Sequence, residues 1–130
     1  MLTAICFGTN NLPAAGQFYD QVLSCINLHR CFENDVEIGY GLEHQPPCFW
    51  IVKPFNQEPA SFGNGTQSIF VANSIDQVNS FYQTGIDLGG LNEGKPGPRD
   101  YSLGYYGAYL RDLDGNKLHV FCLSDSIESR

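Results

Sequence analysis

The sequence predicts an α+β protein made of two copies of one β-α-β-β-β unit, and three observations carry that prediction. First, two amphipathic stripes share a Phe-Tyr pair: Leu12, Ala15, Phe18, Tyr19, Val22 and Leu23 in one, Ile75, Val78, Phe81 and Tyr82 in the other, offset by 63 residues. Second, each stripe follows a short β-capable run and a helix-start signal, Asn10–Asn11 with Pro13 in one copy and Asn73–Ser74 in the other. Third, the chain closes in a hairpin, GYYGAYLRDLDGNKLHVFC over Gly104–Cys122, that supplies the last two strands of the second copy. At 130 residues this is one domain, 1–130, with modules of about 1–60 and 66–125.

Taken in order, Leu2–Thr9 reads as a strand and the first helix is expected to end near Ser24. Ile26–Phe32, Glu37–Gly41 and Pro47–Lys53 read as three further strands, separated by turn-like Glu33–Asp35 and Leu42–Pro46. Pro54–Gly65 is rich in Pro, Gly, Asn and Gln and suits a surface connection between the copies. Gln67–Ala72 then repeats the first strand, and Gly85 and Gly89–Gly90 are expected to stop the second helix. Leu91–Gly104 is dense in Gly and Pro and is expected to be a loop with at most a short strand, a natural wall for a site. In the hairpin, Tyr106–Arg111 and Lys117–Cys122 are strands around the turn Asp112–Asn116. Alternation puts Lys117, His119 and Phe121 on one face. The overlay sets Gln67 on Ala4 and His119 on Trp50. The tail after Leu123 is polar and expected to fray.

Composition bounds the function. Hydrophobic residues make up 42% of the chain and aromatics 13%, with no apolar run long enough to span a bilayer and no signal-peptide pattern, so a soluble, cytoplasmic protein is expected. A net charge of −7 argues against nucleic acid or an anionic membrane as partner. The five cysteines, at 6, 25, 31, 48 and 122, have no CxxC spacing, which excludes a zinc ribbon; they read as reduced and mostly buried.

The hairpin also resembles a known motif, YYxAFVxDPDGNxIE, through Tyr105, Tyr106, Ala108, Tyr109, Leu110, Asp112, Asp114, Gly115, Asn116 and Leu118. With FYDQVL in the first helix, GYG and PPCFWI later in the first copy, and GPR before the hairpin, the chain resembles the glyoxalase/bleomycin-resistance/extradiol-dioxygenase group, the vicinal oxygen chelate superfamily, and its lactoylglutathione-lyase-like proteins. The resemblance implies a glyoxalase-like fold in which the two βαβββ modules form a cupped mixed sheet, and pairing into a homodimer. In metal-dependent members four repeat-related strand positions hold the ion. These fall on Ala4, Trp50, Gln67 and His119, where the family's final Glu is replaced by the histidine.

Ala4 and Trp50 cannot ligate; Gln67 offers a neutral carbonyl oxygen and His119 an imidazole nitrogen. The expectation is a degenerate metal site with no cofactor, in a cup that binds a small organic molecule or acts without a standard metal. Trp50, Tyr101, Tyr106 and Phe121 are expected to wall the pocket, Gln67 and His119 to hydrogen-bond the ligand, and Arg99 to anchor a ligand carboxylate. Ser102 stands where relatives with the FWI string often carry a histidine. No catalytic residue is assigned beyond His119 as a candidate base. The alternatives are a lyase of the glyoxalase I type using Zn, Ni, Fe or Mn, which needs a carboxylate base at the His119 position or the histidine itself in that role, a bleomycin-resistance-like sequestering protein whose acidic surface suits a cation, and a dioxygenase, whose iron needs two His and a carboxylate.

Overall fold

The computed structural model describes residues 1–124. Its first half runs β1 (Ile5–Gly8), α1 (Leu12–Ser24), β2 (His29–Glu33), β3 (Glu37–Gly41) and β4 (Phe49–Val52). The second runs β5 (Gln67–Val71), α2 (Ile75–Asp87), β6 (Leu91–Pro98), β7 (Tyr105–Arg111) and β8 (Lys117–Leu123). The tail expected to fray lies, past Ser124, outside the described residues. Each half makes a four-stranded sheet, in the orders β1-β4-β3-β2 and β5-β8-β7-β6. The first strand of each sheet pairs in parallel with the last, Cys6 opposite Trp50 and Ile69 opposite His119, so the repeat holds residue by residue.

The helices begin where the caps dictate: the Asn11 side chain accepts from the Ala14 N–H and Ser74 from the Gln77 N–H. Their apolar stripes meet in one core shared by both halves. Ring contacts run Tyr19 to Phe49 (5.0 Å), Phe49 to Phe70 (5.2 Å) and Phe70 to Phe81 (5.6 Å), from α1 across to α2. The turn Asp112–Asn116 locks the halves from outside the core. Asp112 is buried and accepts from the Tyr19 hydroxyl, the Asn116 side-chain amide and the N–H groups of Asp114 and Asn116. The same Asn116 amide donates to the Gly8 carbonyl at 3.0 Å. The Asp and Asn of the family-like turn therefore serve the fold.

Four expectations need correction. Leu91–Gly104 is mostly strand: β6 is an edge strand, where proline is tolerated, and register shifts on either side of Gly94 absorb its glycines. β2 starts at His29, not Ile26, because Asn27 turns left-handed (φ 65°) and the Leu28 N–H closes back onto the Leu23 carbonyl. Gly85 does not end α2; it lies inside the helix, where a Cβ would collide with Leu110 Cδ1, and Gly89 at φ 104° makes the stop. The cysteines are free but mostly exposed: Cys6 and Cys48 face out because Ile5, Phe7, Phe49 and Ile51 take the core-facing positions of β1 and β4, and Cys31 is exposed on the edge strand β2. Among the described residues no helix is long and apolar enough to cross a membrane.

Candidate functional site

The five-residue turn fixes the hairpin register, with Arg111 opposite Lys117, Tyr109 opposite His119 and Gly107 opposite Phe121. The outward face of the second sheet thus gathers Tyr105, Tyr109, Arg111, Lys117, His119 and Phe121. The Tyr109 ring stacks on His119 with centroids 4.1 Å apart and planes at 23°, and Tyr105 stacks on Phe121 at 4.7 Å. Tyr101, on the connection before β7, stands edge-on to Tyr105 and shares a hydrogen bond with the Tyr109 hydroxyl, oxygen to oxygen 2.5 Å. Under these rings His119 is only 3% exposed.

That burial decides the histidine's chemistry. Desolvation first, and the nearby charges of Arg99 and Lys117 second, pull its pKa down to about 4, so it is neutral at pH 7. Its Nε2 meets the Tyr105 hydroxyl at 3.2 Å, while Nδ1 is buried with no hydrogen-bond partner among the described residues. Burial, then the bond to Tyr101, raises the pKa of the Tyr109 phenol.

Beside this aromatic stack lies a cavity of about 400 Å³, lined by Gln67, Glu93, Tyr101, Tyr109, Arg111, Lys117 and the turn at residues 64–66. The Lys117 ammonium sits 5.1 Å from the centre of the Tyr109 ring. Arg111 is committed elsewhere, donating to Glu93 and to the Gly115 carbonyl and lying 5.1 Å over the Phe62 ring. The bond from Arg111 holds the Glu93 carboxyl below its ordinary pKa.

The residues singled out from sequence divide three ways. His119, Phe121, Gln67 and Tyr101 lie on or against this face, Gln67 directly opposite Lys117. Tyr106 does not: it pairs with buried Cys122 on the core side of β7, and its hydroxyl donates to Asn79 of α2. A one-residue step along a strand reverses the face, so its expected role falls to Tyr105 and Tyr109. Arg99 makes three hydrogen bonds to the carbonyls of Lys95, Gly97 and Pro98, which tie its guanidinium to its own segment. Ser102 is exposed in the turn, its carbonyl accepting from the Tyr105 N–H.

Trp50 belongs to the first sheet, 5.6 Å from the Phe32 ring and lying over Gly39. Ala4 precedes β1. Sequence reasoning missed Tyr105, Tyr109, Arg111 and Lys117 as site residues, although a register of 111 against 117 across the five-residue turn would have found them. Among the described residues no three His, Cys, Asp or Glu side chains gather into a metal-holding group.

The fold defines a glyoxalase-like protein of two βαβββ modules. No family model matches the chain, and no curated protein does. A glyoxalase/bleomycin resistance protein from Albidiferax ferrireducens T118 is 35% identical over 92% of this chain and 96% of its own, with a TM-score of 0.82. The chain belongs to that glyoxalase/bleomycin resistance family. A glyoxalase-related enzyme from Fulvimarina pelagi is 17% identical over 94% of this chain and 87% of its own, with a TM-score of 0.73, and shares the fold. So does a lactoylglutathione lyase from Agrobacterium tumefaciens, 19% identical over 94% of this chain and 92% of its own, with a TM-score of 0.64.

Proposed function

We propose that this family member binds a small organic molecule at the face of its second module and works without a divalent ion. The observation that carries the reading is the state of His119, the one good nitrogen donor at the four repeat-related positions. It is stacked under Tyr109, with one ring nitrogen at the Tyr105 hydroxyl and the other buried. A divalent ion needs several donors to replace its hydration shell. Ala4 and Trp50 supply none and Gln67 one neutral oxygen, so these residues do not fit such an ion. Lyase chemistry of the glyoxalase I type would further need the buried His119 imidazole to act as base in place of a carboxylate. The neighbouring cavity, about 400 Å³, is of small-ligand size.

The five free thiols suit a reducing cytoplasm. The reading includes a homodimer, because β5 is a free sheet edge and Ile69 (57% exposed), Val71 (66%) and Leu123 (63%) leave apolar surface beside it.

Elemental analysis of the purified protein and NMR titration with a set of small fragments test the proposal. The expected result is no stoichiometric zinc, nickel, iron or manganese, a melting temperature unmoved by added zinc, and fragment-induced shifts at Tyr101 and Tyr109. About one metal per chain, lost in His119→Ala, would overturn it in favour of the metal-dependent lyase.

A further inference from the structure

The charge of the cavity runs against the charge of the chain. The whole sequence carries −7, yet the ionised groups lining this cavity are Arg111, Lys117 and Glu93, two cations against one carboxylate. Glu93 is bonded by Arg111 and feels the Lys117 charge only from a distance, and among the described residues Lys117 makes no direct ion pair. The residue is half-buried and its ammonium lies over the Tyr109 ring, a contact that leaves its hydrogens free. An ammonium that lines a cavity and makes no direct ion pair is open to charge-assisted hydrogen bonds with an incoming anion.

The phenols fit the same partner. Of the two hydroxyl hydrogens on Tyr101 and Tyr109, one is used in their mutual bond, leaving one donor for a ligand. Because burial and that bond raise the Tyr109 pKa, its phenol stays a neutral donor at physiological pH. Gln67, opposite Lys117 in the strand register, adds an amide donor at the same end of the cavity.

Resting on the binding function proposed above, we infer that the ligand is a small organic anion whose carboxylate or phosphate group meets the Lys117 ammonium and the Tyr101–Tyr109 hydroxyl pair. The tyrosine rings beside that point suit an apolar or aromatic body on the anion. A cationic ligand, which the net charge alone would favour, would meet Lys117 and Arg111 instead of a carboxylate wall.

NMR titration with four ligands of similar size decides the matter: benzoate, phenyl phosphate, benzyl alcohol and benzylamine, followed at the ring signals of Tyr101 and Tyr109. The expected result is that at least one of the two anions binds. Its dissociation constant should rise about tenfold in Lys117→Gln and Lys117→Met and stay unchanged in Lys95→Gln. A response to benzoate alone names a carboxylate ligand, to phenyl phosphate alone a phosphate, and either supports the inference. Benzylamine or benzyl alcohol binding as tightly as the anions, or anion binding indifferent to Lys117, overturns it and leaves the ligand-binding function standing. Silence from all four ligands at these tyrosines overturns both.

Discussion

At equivalent points of the repeat, Trp50 of β4 lies opposite Gly39 of β3, whereas His119 of β8 lies opposite Tyr109 of β7. In the first half the absent side chain at Gly39 leaves a trough that the indole covers on its way to Phe32; in the second a phenol stacks on the imidazole and holds it out of water. The connections before these strands differ too. Residues 42–48 of the first half carry exposed Glu43 and His44, while Asp112–Asn116 of the second is a buried hydrogen-bonded lock. Repetition has preserved the backbone register and which positions face outward. It has left each half free to fill those positions with apolar cover or with polar groups.

The largest expected contrast lies in the connections. Asp112→Ala strands the Tyr19 hydroxyl, one hydrogen of the Asn116 amide and two backbone N–H groups, and should cost about 4 kcal/mol, read as a fall in the urea midpoint or about 15 °C in Tm. Glu43→Ala, in the equivalent connection, should change stability by less than about 0.5 kcal/mol. Similar losses for the two would erase the distinction between lock and loop.

Next comes pH. His119 has a folded pKa of about 4 against an ordinary 6.5, so the unfolded chain takes up the proton first as pH falls. Stability should therefore drop between pH 6.5 and pH 4, by up to about 3 kcal/mol, and His119→Gln should flatten that drop. The raised pKa of buried Asp112 works in the opposite sense above its ordinary range, so the quantity to read is the difference between the two proteins, not either curve alone. If both curves slope alike, His119 is not held neutral by its surroundings.

The helices were legible because their caps and stripes are local: Asn11, Ser74 and the Phe-Tyr pairs specify them within a few residues. β6 was illegible because its Gly and Pro are accommodated by pairing with β7, a contact that composition does not reveal. The site was half legible. Alternation along β8 places His119 and Phe121 together, but the expectation that Tyr106 walls the same pocket fails, since only the cross-strand register shows that Tyr105 and Tyr109 share their face. Arg99 misled for a different reason. A guanidinium in a Gly-Pro segment looks unattached in sequence, whereas in the fold three carbonyls of that same segment accept from it and set its orientation.

The smallest effect sharpens the comparison at its centre. A Cβ added at Gly39 would come within 2.9 Å of Trp50 Cζ3 and 3.1 Å of Pro47 Cβ, so the half-exposed indole must tilt away in Gly39→Ala. Because that ring can swing toward solvent, the cost should be only about 1 kcal/mol. The protein has one tryptophan, so its fluorescence reports this site alone and should shift in Gly39→Ala while the Tyr109 and His119 resonances stay in place. In Trp50→Leu the same substitution should cost less, though not nothing, since Pro47 remains in the way. A double-mutant cycle should give a coupling of at least about 0.5 kcal/mol between positions 39 and 50. Strict additivity would mean that the indole does not depend on the bare strand beneath it, and the apolar cover of the first half would then need another support.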